Sequence, residues 1–131
     1  MNRTIKFRGK SLVDIGNIKK GDWVYGGITY NDDRFWIDIP YIGQVLVDKE
    51  TIGQFTGLYD KNGEEIYEGD IVVDKEDEVI GKITWNEEEA SFYFSILYEN
   101  GTYEEEKLND WASVLEVIGN IYDNPELLGG E

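Results

Sequence analysis

The sequence predicts a mostly β protein: an N-terminal β-hairpin extension, a small SH3-like barrel and one short C-terminal helical turn. Three observations carry this reading. Short runs of aromatic and β-branched residues alternate with polar, Gly- and Asn-containing turns along the whole chain. Asp60-Lys61-Asn62-Gly63 supplies hairpin chemistry, because Asn and Gly both tolerate the positive φ that tight connections demand. No segment sustains a helical apolar period or a long run of strong helix formers, which excludes a helical majority.

Thr4-Ile5-Lys6-Phe7-Arg8 alternates apolar and basic residues, as a strand with Ile5 and Phe7 inward, and Gly9-Lys10 then begins a loop. Gly21 to Tyr30 and Arg34 to Ile39, punctuated by Asp32 and Asp33, form a hairpin. Gly26-Gly27 lacks the lysine and helix of a phosphate loop, so it marks a bulge or a close strand crossing. Pro40 breaks the second strand, and Gln44 to Val47 is another short one. Gln54 to Leu58 and Glu64 to Tyr67 flank the hairpin turn, and Gly69 then kinks the chain into Asp70-Ile71-Val72-Val73.

Further strands are expected at Val79 to Trp85, Ser91 to Tyr98 and Tyr103 to Lys107, with Glu99-Asn100-Gly101 as a turn. A helical turn at Leu108 to Ala112 and a last strand at Val114 to Tyr122 complete an SH3-like barrel. Asn124-Pro125-Glu126 has the cap, proline and acid of a helix start, which Gly129-Gly130 stops. The chain thus divides into a β-rich extension with a basic arm over 1–66 and the barrel with its helical turn over 67–131, as one cooperative unit with its seam near Tyr67 to Gly69.

A chain of 131 residues has room for one compact domain or for a barrel with a substantial extension. The nine Tyr and four Trp belong to an ordered chain, and at least two of Trp23, Trp36, Trp85 and Trp111 are expected in the core. With no Cys and no His, disulfides, thiolate nucleophiles, imidazole bases and the usual zinc sites are excluded. No cofactor and no metal site are expected. No apolar run approaches the roughly 20 residues that span a bilayer, and the N-terminus lacks a signal-peptide core, so the expected location is the cytoplasm, with no membrane partner.

The formal net charge of −16 opposes a phosphate backbone, which disfavours duplex DNA as a partner and favours a basic protein. Residues 1–20 hold Arg3, Lys6, Arg8, Lys10, Lys19 and Lys20 against Asp14, a net of +5, which leaves −21 for the remainder. Such a basic arm can dock on the acidic body of its own chain or of a neighbour.

The chain closely resembles the YopX family, small proteins encoded in bacteriophages and in prophages of Gram-positive bacteria. The resemblance runs from Ile5 to Leu128 and is carried by Ile5-Lys6-Phe7-Arg8-Gly9-Lys10, Trp23-Val24-Tyr25-Gly26, Glu50 to Leu58, Asp60-Lys61-Asn62-Gly63, Ile66 to Val72 and Glu116 to Leu128. Ile52 where the family often has Val, and Asp123 where Glu is frequent, are small departures. The resemblance implies a mostly β fold and a phage or prophage origin in a bacterial host, and it implies no reaction.

The preferred functional reading is a non-catalytic interaction protein that self-associates as a homo-oligomer or binds a basic host or phage protein. Its candidate surface comprises Arg3, Lys6, Arg8, Trp23, Tyr25, Gln54, Thr56 and Asp70, where Trp23 and Tyr25 offer an aromatic wall beside polar groups. For Gln54, Thr56 and Asp70 the competing reading is satisfaction of backbone groups at a hairpin and a kink. Two alternatives remain: an acidic nucleic-acid mimic that inhibits a host DNA-binding protein, and a metal-assisted hydrolase using Asp60, Glu64, Glu68 and Asp70. A Ca²⁺ loop at Asp60 fails on spacing, because Gly63 comes too early and Lys61 puts a cation in the loop.

Overall fold

The structure, a computed structural model, describes residues 4–129. These form two antiparallel sheets with three short 3-10 turns and no long helix, the mostly β architecture that the turn chemistry predicts. The chain divides into two compact units, one up to Phe55 and one from Thr56 onward.

In the first unit, β1 (Phe7–Ser11), β2 (Trp23–Asn31), β3 (Arg34–Ile39) and β4 (Gly43–Tyr59) pair in sequence. β1 pairs with β2 on one side and with β4 on the other, so these strands close into a small barrel-like sheet. Val24, Ile37, Val45 and Val47 are buried at its centre, with Phe7, Val13, Ile28 and Phe35 packed around them. The burial of each such aliphatic side chain contributes about 1.5–3 kcal/mol. The expected extension therefore has a core of its own.

Turn chemistry sets the register. Asp32 and Asp33 adopt φ of 55° and 60°, the two left-handed residues of a type I′ hairpin loop between the paired Asn31 and Arg34. Gly26 lies where a Cβ would sit 2.2 Å from the Asp38 carbonyl oxygen, so the double glycine is a close strand approach.

Two local expectations change. Ile5 is exposed and precedes the strand, while Gly9 and Lys10 lie inside it. Gly9 is a packing position, since a Cβ there would stand 3.1 Å from the Val47 Cβ. Gln44–Val47 and Gln54–Leu58, expected as separate strands, are parts of the single strand β4. Between them β4 bulges away from β1, and Thr51 fills the gap: its hydroxyl accepts from the Lys10 N–H at 2.9 Å and donates to the Asp48 carbonyl at 2.7 Å.

The second unit begins within β4 rather than near Tyr67. The reason is local: Leu58 in the end of β4 and Ile66 in β5 (Glu65–Tyr67) pack into the second core. β6 (Asp70–Asp74), β7 (Val79–Asn86), β8 (Ser91–Leu97) and β9 (Tyr103–Lys107) form a meander. The 3-10 turns Leu108–Asp110 and Ala112–Val114 then carry the chain back to β10 (Glu116–Asn120), which pairs with β6. The resulting order β10-β6-β7-β8-β9 has the SH3-like connectivity expected for this half.

Val72, Ile83, Phe94, Ile96, Leu108 and Leu115 form the core of this unit. None of the four tryptophans is fully buried, and only Trp111 packs against a core, edge-on to Phe94 at 5.3 Å between ring centroids. Trp85 instead pairs with Phe92 and stays exposed, which corrects the expectation of two core tryptophans. The C-terminal turn is a 3-10 turn at Pro125–Leu128, ended by Gly129 at φ 76°. Asn124 does not cap it through its side chain; its Oδ1 accepts from the Asn120 N–H.

Candidate functional site

An antiparallel ladder places Lys82 on β7, Ser95 on β8 and Glu105 on β9 in one row, with Leu97 and Tyr103 paired in the next. Successive side chains alternate between faces, so Lys82, Ser95 and Glu105 point away from the core that holds Ile83, Phe94 and Ile96. With Thr84 and with Leu128 of the C-terminal turn they line a groove of about 490 Å³ in the second unit. The Thr84 hydroxyl oxygen is buried and makes no hydrogen bond among the described residues.

The groove runs out to an open sheet edge. β9 pairs only with β8 among the described strands, and all five of its residues are exposed. Its sequence, Tyr103-Glu104-Glu105-Glu106-Lys107, has no apolar alternation, the legible sign of an edge strand. Tyr98 donates to the Glu104 carboxylate, and this bond, with burial and the nearby carboxylates, raises the Tyr98 phenol above its ordinary value.

The sequence-predicted surface is distributed over both units. On the first, Arg8 pairs in register with Tyr25 and Lys10 with Trp23. The Arg8 guanidinium lies 4.7 Å from the Trp23 ring centroid and the Lys10 ammonium 5.5 Å from it, a cation–π ladder on the face opposite Phe7. Lys6 lies over Phe55 at 5.6 Å, and Gln54 sits opposite Phe7 in β4. These cations are thus not on a free arm: Arg8 and Lys10 belong to the strand that closes the first sheet. Arg3 lies outside the described residues.

Thr56 and Asp70 are in the second unit, and both bond to backbone. The Thr56 hydroxyl donates to the Ile66 carbonyl at 2.8 Å, and Asp70 Oδ2 accepts from the Tyr67 N–H at 2.7 Å across the Gly69 kink. Asp60, a carboxylate of the hydrolase alternative, is buried and holds three amides. Its Oδ1 accepts from Asn62 and Glu64, closing the hairpin turn, and its Oδ2 accepts from Val117 at the start of β10. Asn62 keeps ordinary φ, and Gly63 alone supplies the left-handed residue, at 81°. Among the described residues no group of three or more acidic side chains is placed to hold a metal ion.

Charge separates between the units. Residues 1–55 carry eight Lys and Arg against seven Asp and Glu, a net of +1, whereas residues from Thr56 onward carry four against twenty-one, a net of −17. No helix among the described residues is long and apolar enough to cross a membrane.

Fold and site together define an all-β protein with two compact units, one nearly neutral and barrel-like, the other strongly acidic and SH3-like. The chain matches the YopX family, described as YopX protein, over residues 6–129, and it belongs to that family. A crystal structure of protein EF1440 from Enterococcus faecalis is similar at 24% identity, over 97% of this chain and 99% of that one, with a TM-score of 0.44. A comparison with curated proteins gave no match.

Proposed function

We propose that this protein is a phage- or prophage-encoded, non-catalytic interaction protein of the bacterial cytoplasm, whose acidic unit binds a basic host or phage protein. The observation that carries the reading is the separation of charge, net −17 from Thr56 onward against +1 before it. Such a field attracts a cationic partner, raises its association rate and repels nucleic acid. Support also comes from the fates of Asp60 and Asp70, whose oxygens accept backbone amides instead of standing ready for acid-base work. Arg8 is buried beneath this face, and the half-buried Lys10 and Trp23 beside it offer a second contact surface, which suits self-association.

Affinity capture of the tagged protein from host lysate at low and high salt, with light scattering of the eluted complex, tests the proposal. A basic partner in defined stoichiometry, released at high salt, is the expected result. Recovery of the protein alone at both salt concentrations overturns it. Deleting residues 1–20 is an unsuitable variant, because it removes β1 and opens the first sheet. The nucleic-acid mimic is the second reading, favoured by the same charge separation, and it predicts that DNA competes with this protein for the captured partner.

A further inference from the structure

We propose that β9 accepts an extended cationic segment of the partner as a sixth strand of the second sheet, with the adjoining groove receiving side chains of that segment. The inference rests on the basic-partner reading above and specifies how such a partner is held. The phase of the β8–β9 ladder decides which backbone groups are available. Tyr98 N–H donates to the Thr102 carbonyl. By the alternation of antiparallel pairs, Glu104 and Glu106 then bond inward to β8, while Tyr103, Glu105 and Lys107 turn their N–H and C=O groups to the open edge. An incoming strand finds a row of unpaired donors and acceptors there, the arrangement used in recognition by strand addition.

Charge selects the occupant. A second copy pairing β9 on β9, antiparallel and centred on Glu105, sets Glu104 against Glu106 and Glu105 against itself, and like charges directly opposite are destabilising. Phosphate is repelled by the same three carboxylates. A segment with lysine or arginine at these positions places cations opposite them instead. On the Glu105 face, Tyr103, Leu97 and Leu128 give apolar contact to the aliphatic stem of a groove-facing lysine or arginine, whose charge meets Glu105.

The test uses the full-length protein, a short peptide of alternating lysine and valine, and the same peptide N-methylated at alternate residues. Glu105→Pro removes an outward N–H that β8 does not use, a substitution edge strands tolerate, and Glu105→Gln removes the charge alone. Strand addition predicts that the peptide protects the amides of Tyr103, Glu105 and Lys107 from exchange. Glu105→Pro and peptide N-methylation each then weaken binding by at least about tenfold, and Glu105→Gln by only about two- to fivefold. Equal affinities for the Pro and Gln variants, together with indifference to N-methylation, overturn strand addition and leave the basic-partner reading standing. Failure of the unmodified peptide to bind the wild-type protein at low salt overturns both. If Glu105→Pro does not fold, peptide N-methylation decides the question without it.

Discussion

Replacing Asp60 by alanine tests whether this carboxylate is a structural clasp. The side chain accepts the Asn62 and Glu64 amides at 2.8 and 2.9 Å and the Val117 amide at 3.0 Å. Asp60 thereby ties the β4–β5 hairpin to the start of β10, a connection that the Lys61 N–H to the Leu115 carbonyl reinforces. A hydrogen bond to a charged group contributes about 1.5–3 kcal/mol net. The three do not add in full, because Asn62 and Glu64 are exposed and water can replace the carboxylate at their amides. The half-buried Val117 amide is the costly loss. Asp60→Ala is therefore expected to destabilise the protein by about 3–4 kcal/mol, a fall in Tm of roughly 10–20 °C. Asp60→Asn retains an acceptor for the turn but can present its amide N–H₂ to Val117, for a loss of about 2–3 kcal/mol. Urea unfolding followed by near-UV circular dichroism gives the totals, and amide exchange at Val117 gives the local effect. Stability of Asp60→Ala within about 1 kcal/mol of wild type refutes the clasp, as does an unchanged Val117 exchange rate.

Three further outcomes follow from single sites. Pro40-Tyr41 forms the corner of a type II turn, with Ile42 N–H donating to the Ile39 carbonyl and Tyr41 fully exposed at φ 69°. Tyr41→Gly is expected to raise stability by about 0.5–1 kcal/mol in thermal unfolding, because glycine relieves the left-handed strain and no contact is lost. Thr51→Val leaves the Lys10 amide in the β4 bulge without its acceptor, so a loss of about 1–3 kcal/mol is expected in urea unfolding. The Tyr98 phenol, held above 10.0 first by its hydrogen bond to Glu104, keeps that bond below the unfolded-state value and loses it as pH rises through the higher folded-state value. Glu104→Gln is expected to bring its ultraviolet titration down toward 10.0.

The legible parts of the fold were those set by local chemistry. Asp32-Asp33, Asn100-Gly101 and the Asp60 turn announced their hairpins, and the strands of the second sheet follow the apolar runs between them. What remained hidden depends on partners distant in sequence. Gly9 reads as a loop residue until Val47 is known to stand over it, and β4 reads as two strands because Asp48 to Glu50 is a polar run. The tryptophans were misplaced because aromatic area suits a half-buried, cation-facing position as well as a core, as Trp23 shows. The first unit's core was invisible because it forms only when β1 closes the sheet. At the candidate site, the hairpin and kink polar groups were legible as backbone partners. The groove was not, because Lys82, Ser95 and Glu105 are brought together by register alone.

The abundance of acid obscures function in the sequence, and the structure separates three buried aspartates from the exposed acids around them. Asp60, Asp70 and Asp74 are buried, and each turns its short carboxylate onto nearby backbone amides at a turn or kink. An aspartate reaches its own local backbone readily, which is why it serves in such turns, and its lone pairs are then committed. The glutamates of β9 are exposed along an edge, with longer chains and no turn to hold. An edge strand guarded against self-pairing needs one or two charges; Glu104, Glu105 and Glu106 in succession put like charge on both faces of the strand. That excess of like charge disfavours pairing of β9 with a second copy of itself, and the proposed pairing with a basic segment draws on the same feature.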